Sequence, residues 1–579
     1  MPPSLNGASR LSEALAPFSP GQRALAVGLL LVTALALWAT LAGALFLQLA
    51  GEAPLEASPL TLLRYAYHYG RDETVRTGLL VAGGLAGALL LIPTLALLAP
   101  RERKLFGDAR FATRAEIKRA GLFAEKGIIV GKLGRKFLIF GGQQHVLVAA
   151  PTRSGKGQGI AIPNLLNWDD SVVALDIKRE LWDQTAGYRA KHGQAVYLFN
   201  PAARDYRTHR YNPLFYVSED PNFRVNDLQK IAHMLIPDPP KSDPFWASNA
   251  RWLFLGIALY VFETEGEART LGNILRHLLK PEGAQVFFQE RIVARRDEGK
   301  PLSAACVESL MAFATLSDKT RDGVRDQLKT KLEPLINPIT DAAMSGNDFD
   351  LRDLRKKRMS IYVVLSPEDK ERLAPIVALF FQQIVDLTMR ERPEENPALR
   401  FQILMLLDEF ASVGPVPAVA HGVAYLAGYN VRLLSIIQSP SQLRAIYGPE
   451  IAQNFIANHA LRAVFSTKDA RDCEEISQML GIQTVIGRSR SKARGLFGKN
   501  FSETASDQKR PLLLPQEIAT MGSRQSLLIT DISRPIKAKK IMARAEGVFS
   551  VRLLVRGAMP VPQATSQRQD DLAPELRIP

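Results

Sequence analysis

Cysteine is nearly missing: Cys306 and Cys473 are the only two in 579 residues. That excludes a disulfide-rich secreted scaffold and a four-cysteine zinc site, and each cysteine reads as a small buried apolar side chain. Histidine is also scarce, and the eight present are scattered without metal-ligand spacing, so no zinc site is expected. No L-S-G-G-Q run appears, which argues against an ABC transporter. Acidic residues are in deficit, 58 against 73 Lys and Arg, for a formal charge of +15. A surplus of that sign points to nucleic acid or anionic lipid as a partner. The composition, 46% hydrophobic and 23% charged, is globular, and at about 150 residues per domain the chain has room for three or four. A mean hydropathy of -0.03 is nevertheless high for a purely soluble protein, so apolar residues are concentrated somewhere.

The concentration is at the N-terminus. Residues 24–50 and 77–100 carry no charge, and each run exceeds the roughly 20 residues a helix needs to cross a bilayer. A signal-peptide core spans only about 7–15 residues, which favours a retained span over a cleaved leader. Arg64, Arg71 and Arg76 in the connecting loop 51–76 are diluted by Glu52, Glu56, Asp72 and Glu73, whereas Arg101, Arg103, Lys104, Arg110, Arg114, Lys118 and Arg119 follow the second run. The bias predicts a two-pass anchor over 1–104 with both termini cytoplasmic and a short loop outside, in contact with membrane lipid. Trp38, Tyr65 and Tyr67 fit interfacial positions, and Gly78, Gly83, Gly84 and Gly87 fit close helix packing.

Beyond the anchor, the apolar run ending at Ala150 reads as a buried strand. It leads directly into Pro151-Thr-Arg-Ser-Gly-Lys-Gly157 and then a helical stretch, Gln158 to Asn167. This is the context of a phosphate-binding loop, where backbone N–H groups and a helix N-terminus cradle phosphates and Lys156 reaches the β and γ oxygens. Thr152, Arg153, Ser154, Gly155, Lys156, Gly157 and Gln158 are the nucleotide-binding candidates. Ala150 stands at the first glycine of the general motif, and Gly157 replaces the hydroxyl residue that normally touches Mg2+. A Gly-Lys-Gly turn is also an ordinary loop, so the reading depends on a partner element. That element is Phe401-Gln-Ile-Leu-Met-Leu-Leu-Asp-Glu-Phe410, an apolar strand ending in paired carboxylates. Asp408 is the candidate Mg2+ ligand and Glu409 the candidate catalytic base for ATP hydrolysis, although Asp-Glu at a strand end also serves as a helix cap. A third strand, Val431 to Ile437, ends at Gln438, a candidate γ-phosphate sensor or a plain strand-end amide.

Further strands at Ser171 to Leu175, Ala195 to Phe199, Met359 to Leu365, Leu461 to Phe465 and Ser526 to Thr530 fit one parallel sheet. Helical stretches near 181–191, 372–391, 416–428, 440–458 and 470–480 alternate with them. The pattern predicts an α/β P-loop ATPase domain split into 105–215 and 346–555, interrupted by an all-α insertion over 216–345. The proline-rich stretch 556–579 reads as a disordered tail.

Taken together, Phe106-Gly-Asp-Ala-Arg-Phe-Ala112, the A-P-T-R-S-G-K-G run at 150–157, Ala174-Leu-Asp-Ile-Lys178, Tyr211-Asn-Pro-Leu214, Leu407-Asp-Glu-Phe410, Ala427-Gly-Tyr-Asn-Val-Arg432 and Ile437-Gln-Ser-Pro-Ser-Gln442 resemble the type IV secretion coupling proteins of the TraG class. In that family Gly157 after the lysine looks ordinary, whereas Arg179 stands where a glycine follows Asp-Ile-Lys, so the 176–179 loop is given no role. The resemblance implies a RecA-like motor domain with a cytoplasmic all-α insertion, a homohexameric ring in the bacterial inner membrane, and single-stranded DNA with an attached relaxase as cargo for a type IV secretion channel. A coupling ATPase for effector proteins only and a non-enzymatic membrane receptor or scaffold remain alternatives. A chromosome-segregation motor would have about four spans and a C-terminal winged helix, which are not seen.

Ring ATPases commonly place an arginine finger across the subunit interface, and Arg432 and Arg462 are the candidates, with a buried salt bridge as the alternative for each. Polyanion contact is expected from Arg321, Arg325 and Lys329, which recur every four residues on one helix face, and from the 484–510 segment with Arg488, Arg490, Lys492 and Arg494, read as a mobile basic loop. A charge run is more often a solvated face, and Asp318, Asp322 and Asp326 partly neutralise the helix.

Overall fold

A computed structural model of the chain describes residues 20–98, 105–238, 243–492, 501–554 and 560–564. Two compact units are present, one of 109–483 with 510–579 and one of 1–108 with 484–509.

The larger unit is built on an eleven-stranded sheet. Its strands are β1 (Ile128–Leu133), β2 (Lys136–Phe140), β3 (Val146–Ala149), β4 (Ser171–Asp176), β5 (Ala195–Phe199), β6 (Met359–Val364), β7 (Ile403–Leu407), β8 (Val431–Ile437), β9 (Leu461–Phe465), β12 (Gln525–Thr530) and β13 (Ser533–Lys539), while β10 (Ile482–Lys492) and β11 (Phe501–Pro511) pair only with each other. The spatial order is β2-β1-β13-β12-β9-β3-β8-β7-β4-β6-β5. From β9 to β5 neighbouring strands run parallel, and from β9 back to β2 they run antiparallel. Every residue of β4, β6, β7 and β8 is buried, as the continuous apolar runs of a doubly covered parallel sheet require. Alternation then sorts the side chains between two cores. Val172 and Ala174 of β4 join the core under the helices Ile162–Asn167 and Glu180–Lys191, while Val173 and Leu175 join the one under Lys370–Thr388 and Pro417–Leu426.

Between β5 and β6 the described residues form helices and no strand, from Pro221–Leu235 to Pro338–Ala343. The apolar helix Phe245–Glu263 in this insertion is long enough to cross a membrane, but 67% of its apolar window is buried inside the protein. It is a core helix.

Three expectations are corrected. Ser526–Thr530 belongs to the sheet but runs antiparallel to β9, pairing Ser526 with Phe465 and Thr530 with Leu461. The path from β9 goes through the helix Ala470–Leu480 and the β10–β11 ribbon, so it lacks the single crossover helix that delivers a parallel neighbour. The helix expected over 440–458 is two, Pro440–Tyr447 and Pro449–Ala457, broken where Gly448 takes a φ of 80° before a proline. Residues 560–564 of the expected tail are held by the chain: Thr208 donates its N–H to the Pro562 carbonyl and Ala564 donates to that of Tyr206. The remaining residues of the expected tail, 556–559 and 565–579, lie outside the described residues.

In the smaller unit, the helices Pro20–Ala50 and Glu73–Leu98 pack side by side. The Trp38 indole donates to the Gly83 carbonyl at 3.0 Å, and a Cβ on Gly78 would lie 3.2 Å from the Phe46 ring, so the glycines admit these rings at close range. Gly28–Ala50 and Glu73–Leu91 are long and apolar enough to cross a membrane. The same unit holds most of the β10–β11 ribbon, where Thr484 donates its N–H to the Gly107 carbonyl. The described parts of the 484–510 segment, 484–492 and 501–510, are therefore two paired strands rather than the expected loop, and 493–500 lie outside the described residues. Arg488, Arg490 and Lys492 alternate with serines at the two-residue period of a strand.

Candidate nucleotide site

The site forms at the carboxyl ends of the parallel strands. After β3, the Ala150 N–H donates to the Ile437 carbonyl at 2.8 Å, which ties the start of the loop to the end of β8. The chain then turns sharply: Ser154 N–H returns to the Pro151 carbonyl at 3.1 Å, and φ is 61° at Arg153 and 89° at Gly155. Glycine adopts that conformation freely; Arg153 does so at a cost of about 1 kcal/mol. The helix that follows opens with a wide turn over Gly157–Ala161, closed by Ile162 N–H on the Gly157 carbonyl. Pro163 has no N–H to continue the ordinary ladder, which accounts for the shift.

Lys156 projects from this loop to the end of β7, one strand beyond β8. Its ammonium lies 2.6 Å from Glu409 Oε1 and 3.2 Å from Asp408 Oδ1. Glu409 sits on left-handed backbone at φ 56°, a strain of order 1–3 kcal/mol that turns its carboxylate toward the loop. Burial raises the Asp408 pKa, against the pull of Lys156.

Arg153, Gly155, Lys156, Gly157, Gln158, Asp408 and Glu409 thus line one cleft. Three charged residues of the same cleft have no role in the sequence reading: Asp176, Lys178 and Glu180. Asp176 ends β4 and accepts N–H groups from Trp182 at 2.9 Å and Lys178 at 3.3 Å. Burial, with a smaller contribution from Asp408, pushes its pKa up to about 6. The signal was present in Ala174-Leu-Asp-Ile-Lys178, set aside because Arg179 replaces a glycine. The backbone at Arg179 keeps a φ of 63° all the same, so the loop retains the glycine-type turn without the glycine.

Other candidates lie elsewhere. Thr152 is exposed and does not line the cleft, nor does the half-buried Ser154. Gln438 stands at the end of β8 and lines a separate small cavity with Arg462, Asp472 and Glu475. Arg432 is corrected: it is wholly buried, its Nε donating to the Gln144 carbonyl at 2.7 Å and its Nη2 to those of Phe140 at 2.8 Å and Gly141 at 3.0 Å. A guanidinium spent on carbonyls in the interior, its pKa lowered by burial to about 9, has no reach toward a neighbouring subunit. Arg462, on β9, is only partly buried.

The basic helix Asp318–Leu332 is less open than its sequence suggests. Arg321 donates to the Ala314 and Leu316 carbonyls and pairs with Asp318, and Arg325 pairs with Asp322 and Asp326. Lys329 is exposed. In the ribbon, Arg488 is exposed, Arg490 and Lys492 lie within β10, and Arg494 falls outside the described residues.

The chain is 30% identical to the VirD4 protein of Rhizobium rhizogenes over 505 residues, covering 84% of this chain and 73% of that one. The bacterial conjugative coupling protein TrwBdeltaN70 in its unbound monoclinic form shares the fold at a TM-score of 0.57 and 19% identity, over 79% of this chain and 98% of that one. The plasmid coupling protein TrwB in complex with ADP and Mg2+ matches at a TM-score of 0.55 and 19% identity, over 77% and 97%. RecA-like architecture with an all-α insertion is therefore the fold, and residues 110–546, which hold the loop, the carboxylates and the insertion together, match the family described as Type IV secretory system Conjugative DNA transfer, to which this chain belongs.

Proposed function

We propose that the chain is a membrane-anchored coupling ATPase that takes single-stranded DNA with an attached relaxase and drives it into a type IV secretion channel during conjugation. One observation carries the catalytic part: Lys156 is held between Asp408 and Glu409, residues some 250 positions away in sequence, at the carboxyl ends of strands one apart in the sheet. A lysine so placed exchanges its carboxylate partners for the β and γ phosphates of ATP, and frees Glu409 to orient and deprotonate water.

The donor set fits Mg2+. Asp408 and Asp176 are hard oxygen ligands in a buried site that raises their pKa, and a divalent cation relieves that penalty. Asp408 would hold the ion, with Asp176 nearby and no hydroxyl available at Gly157; when bound, the ion supplies charge neutralisation on the phosphates. Gln438 is assigned to γ-phosphate sensing, on the strength of its position at the end of the strand between β3 and β7. The apolar helices over 20–50 and 73–98, with the basic residues that follow the second, support a two-pass inner-membrane anchor with cytoplasmic termini, and the chain is assigned to a homohexamer in which Arg462 is the remaining candidate to act in trans. Mixing Arg462→Ala subunits with Lys156→Ala subunits restores partial hydrolysis if Arg462 acts across the interface.

The deciding experiment compares wild type with Lys156→Ala in Mg2+-ATP hydrolysis by the purified protein and in transfer of a marked plasmid by a strain lacking only this chain. Loss of both in the variant is expected. Wild-type hydrolysis by the variant would overturn the ATPase assignment, and secretion of a protein reporter without plasmid transfer would assign the effector cargo instead.

A further inference from the structure

The outer side of the phosphate loop is covered by the segment that follows β13, well over 300 residues later in the chain. Lys540, the first residue after the strand, is nearly buried. Its ammonium donates to the Ser154 carbonyl at 3.1 Å and lies 4.1 Å from the centroid of the Phe465 ring on β9. The next residue, Ile541, brings its carbonyl so close to Gly159 that a Cβ there would sit 3.3 Å from the oxygen. Arg544 then donates its N–H to Gln158 Oε1 at 3.3 Å, and Glu546 closes the segment with an ion pair to Lys132 of β1 at 2.6 Å. Residues 154, 158 and 159 are thus gripped in order by 540, 544 and 541.

The Ser154 carbonyl needs such a partner. Ser154 lies between two residues of positive φ, Arg153 and Gly155, in a turn whose N–H groups serve phosphate only if its carbonyls point away. A carbonyl directed outward into protein requires a donor, and a cationic donor is the strongest available. Polarising that peptide also strengthens the N–H on its other side, that of Gly155.

We propose that Lys540 is a positioning residue for nucleotide binding, its ammonium holding the Ser154 carbonyl and so keeping the phosphate loop in its binding shape. The proposal rests on the nucleotide reading of the cleft, and extends it to a residue outside that cleft. Burial lowers the Lys540 pKa to about 8, with no charged neighbour contributing among the described residues. The elements packed around it present the Phe465 ring from β9, the Arg524 carbonyl, which accepts the Lys540 backbone N–H, and the loop with Arg153 and Lys156 on either side of Ser154. Lys539 and Arg544 flank it on its own segment. The positioning charge is therefore largely present at neutral pH and is lost as pH rises through about 8.

The test uses the full-length protein in detergent, with a fluorescent ATP analogue and Mg2+ titrated by anisotropy from pH 7 to 9.5. In wild type, affinity falls across this range. Lys540→Arg keeps the pH 7 affinity up to pH 9.5, because a guanidinium stays charged. Lys540→Met binds about tenfold more weakly at pH 7, with a flatter profile, as loss of one charge-assisted hydrogen bond implies. Thermal melting of each variant is recorded alongside: a Met variant that melts earlier but binds with wild-type affinity and profile would reduce Lys540 to a packing residue and overturn the proposal. An unfolded Met variant leaves the decision to Lys540→Arg, where a fall in affinity identical to wild type overturns it. Failure of wild type itself to bind the analogue, or undiminished binding by Lys156→Ala, would instead count against the nucleotide reading.

Discussion

Lys156 and Arg432 are both shielded cations on the neighbouring strand units β3 and β8, yet they stand at opposite ends of the sheet and answer to different partners. Lys156 follows the carboxyl end of β3 and faces two carboxylates in an open cleft. Arg432 is at the amino end of β8 and donates to three carbonyls in the interior. A carboxylate pair is exchangeable, since a phosphate offers the lysine an equal or better partner. Carbonyls contributed by the backbone of 140–144 cannot leave, so Arg432 is a staple between β8 and the β2–β3 connection. On the proposed reading, charge in this sheet serves chemistry at one end and cohesion at the other.

The largest effect that sharpens this contrast is on turnover. Glu409→Gln should retain nucleotide binding while hydrolysis falls about 100-fold or more, the usual scale for losing a general base; Lys156→Ala should lose both. Glu409→Gln should leave the melting temperature nearly unchanged, whereas Lys156→Ala removes the cation beside the buried Asp408 carboxylate and should lower it modestly. Equal hydrolysis by Glu409→Gln and wild type would remove Glu409 from the reaction.

Arg432→Met should do the reverse. Three carbonyls lose their donor at roughly 1–3 kcal/mol each, so a loss of several kcal/mol is expected as early melting and rapid proteolysis. A variant that folds normally but fails to hydrolyse ATP would reopen a catalytic role for this arginine.

A smaller effect concerns pH. Asp176 is held near 6, above its ordinary 3.8, so the folded chain binds a proton that the unfolded chain has already released. Stability therefore falls as pH rises from about 4 to 6, and the full penalty of ~3 kcal/mol applies above 6. Asp176→Asn should make that slope less steep without abolishing it, because burial also raises Asp472, to about 6, and Asp408. An unchanged slope would show that Asp176 is not the titrating group.

The smallest effect is at the ribbon. Neutralising Arg488, Arg490, Lys492 and Arg494 together should reduce the salt dependence of DNA binding by up to about four charges, roughly 0.7–0.9 log units each, without altering sequence preference. An unchanged slope would withdraw the DNA assignment for this ribbon.

Lys156, Asp408 and Glu409 were legible because each is a charge or glycine turn at the end of an apolar run, and a strand end is where a parallel sheet exposes its ligands. Asp176 was half legible, hidden by one arginine in a glycine's place. Lys540 was not legible at all: within Lys537-Ala-Lys-Lys540 nothing marks the one ammonium that turns inward. The direction of β12 was hidden for a general reason, since buried strands alternate alike whether parallel or antiparallel. Arg432 misled because proximity to a strand does not say which end of it, or which side of the surface, a side chain occupies. In the ribbon, serine and basic composition masked a two-residue period.

The strand that launches the phosphate loop ends at Ala149, but the strands on either side of it begin at Val431 and Leu461, and the lysine behind the loop is residue 540. During synthesis the two apolar helices, β1 and β2 emerge before β3, which then stays unpaired on both sides, and the helical insertion emerges before any neighbour that could flank it. Such long-range pairing makes for slow closure. With the proposed anchor over 20–98, the nascent chain would reach the membrane well before it can grip a nucleotide, and a truncation anywhere between that anchor and Lys540 should yield an inserted anchor with no competent phosphate loop.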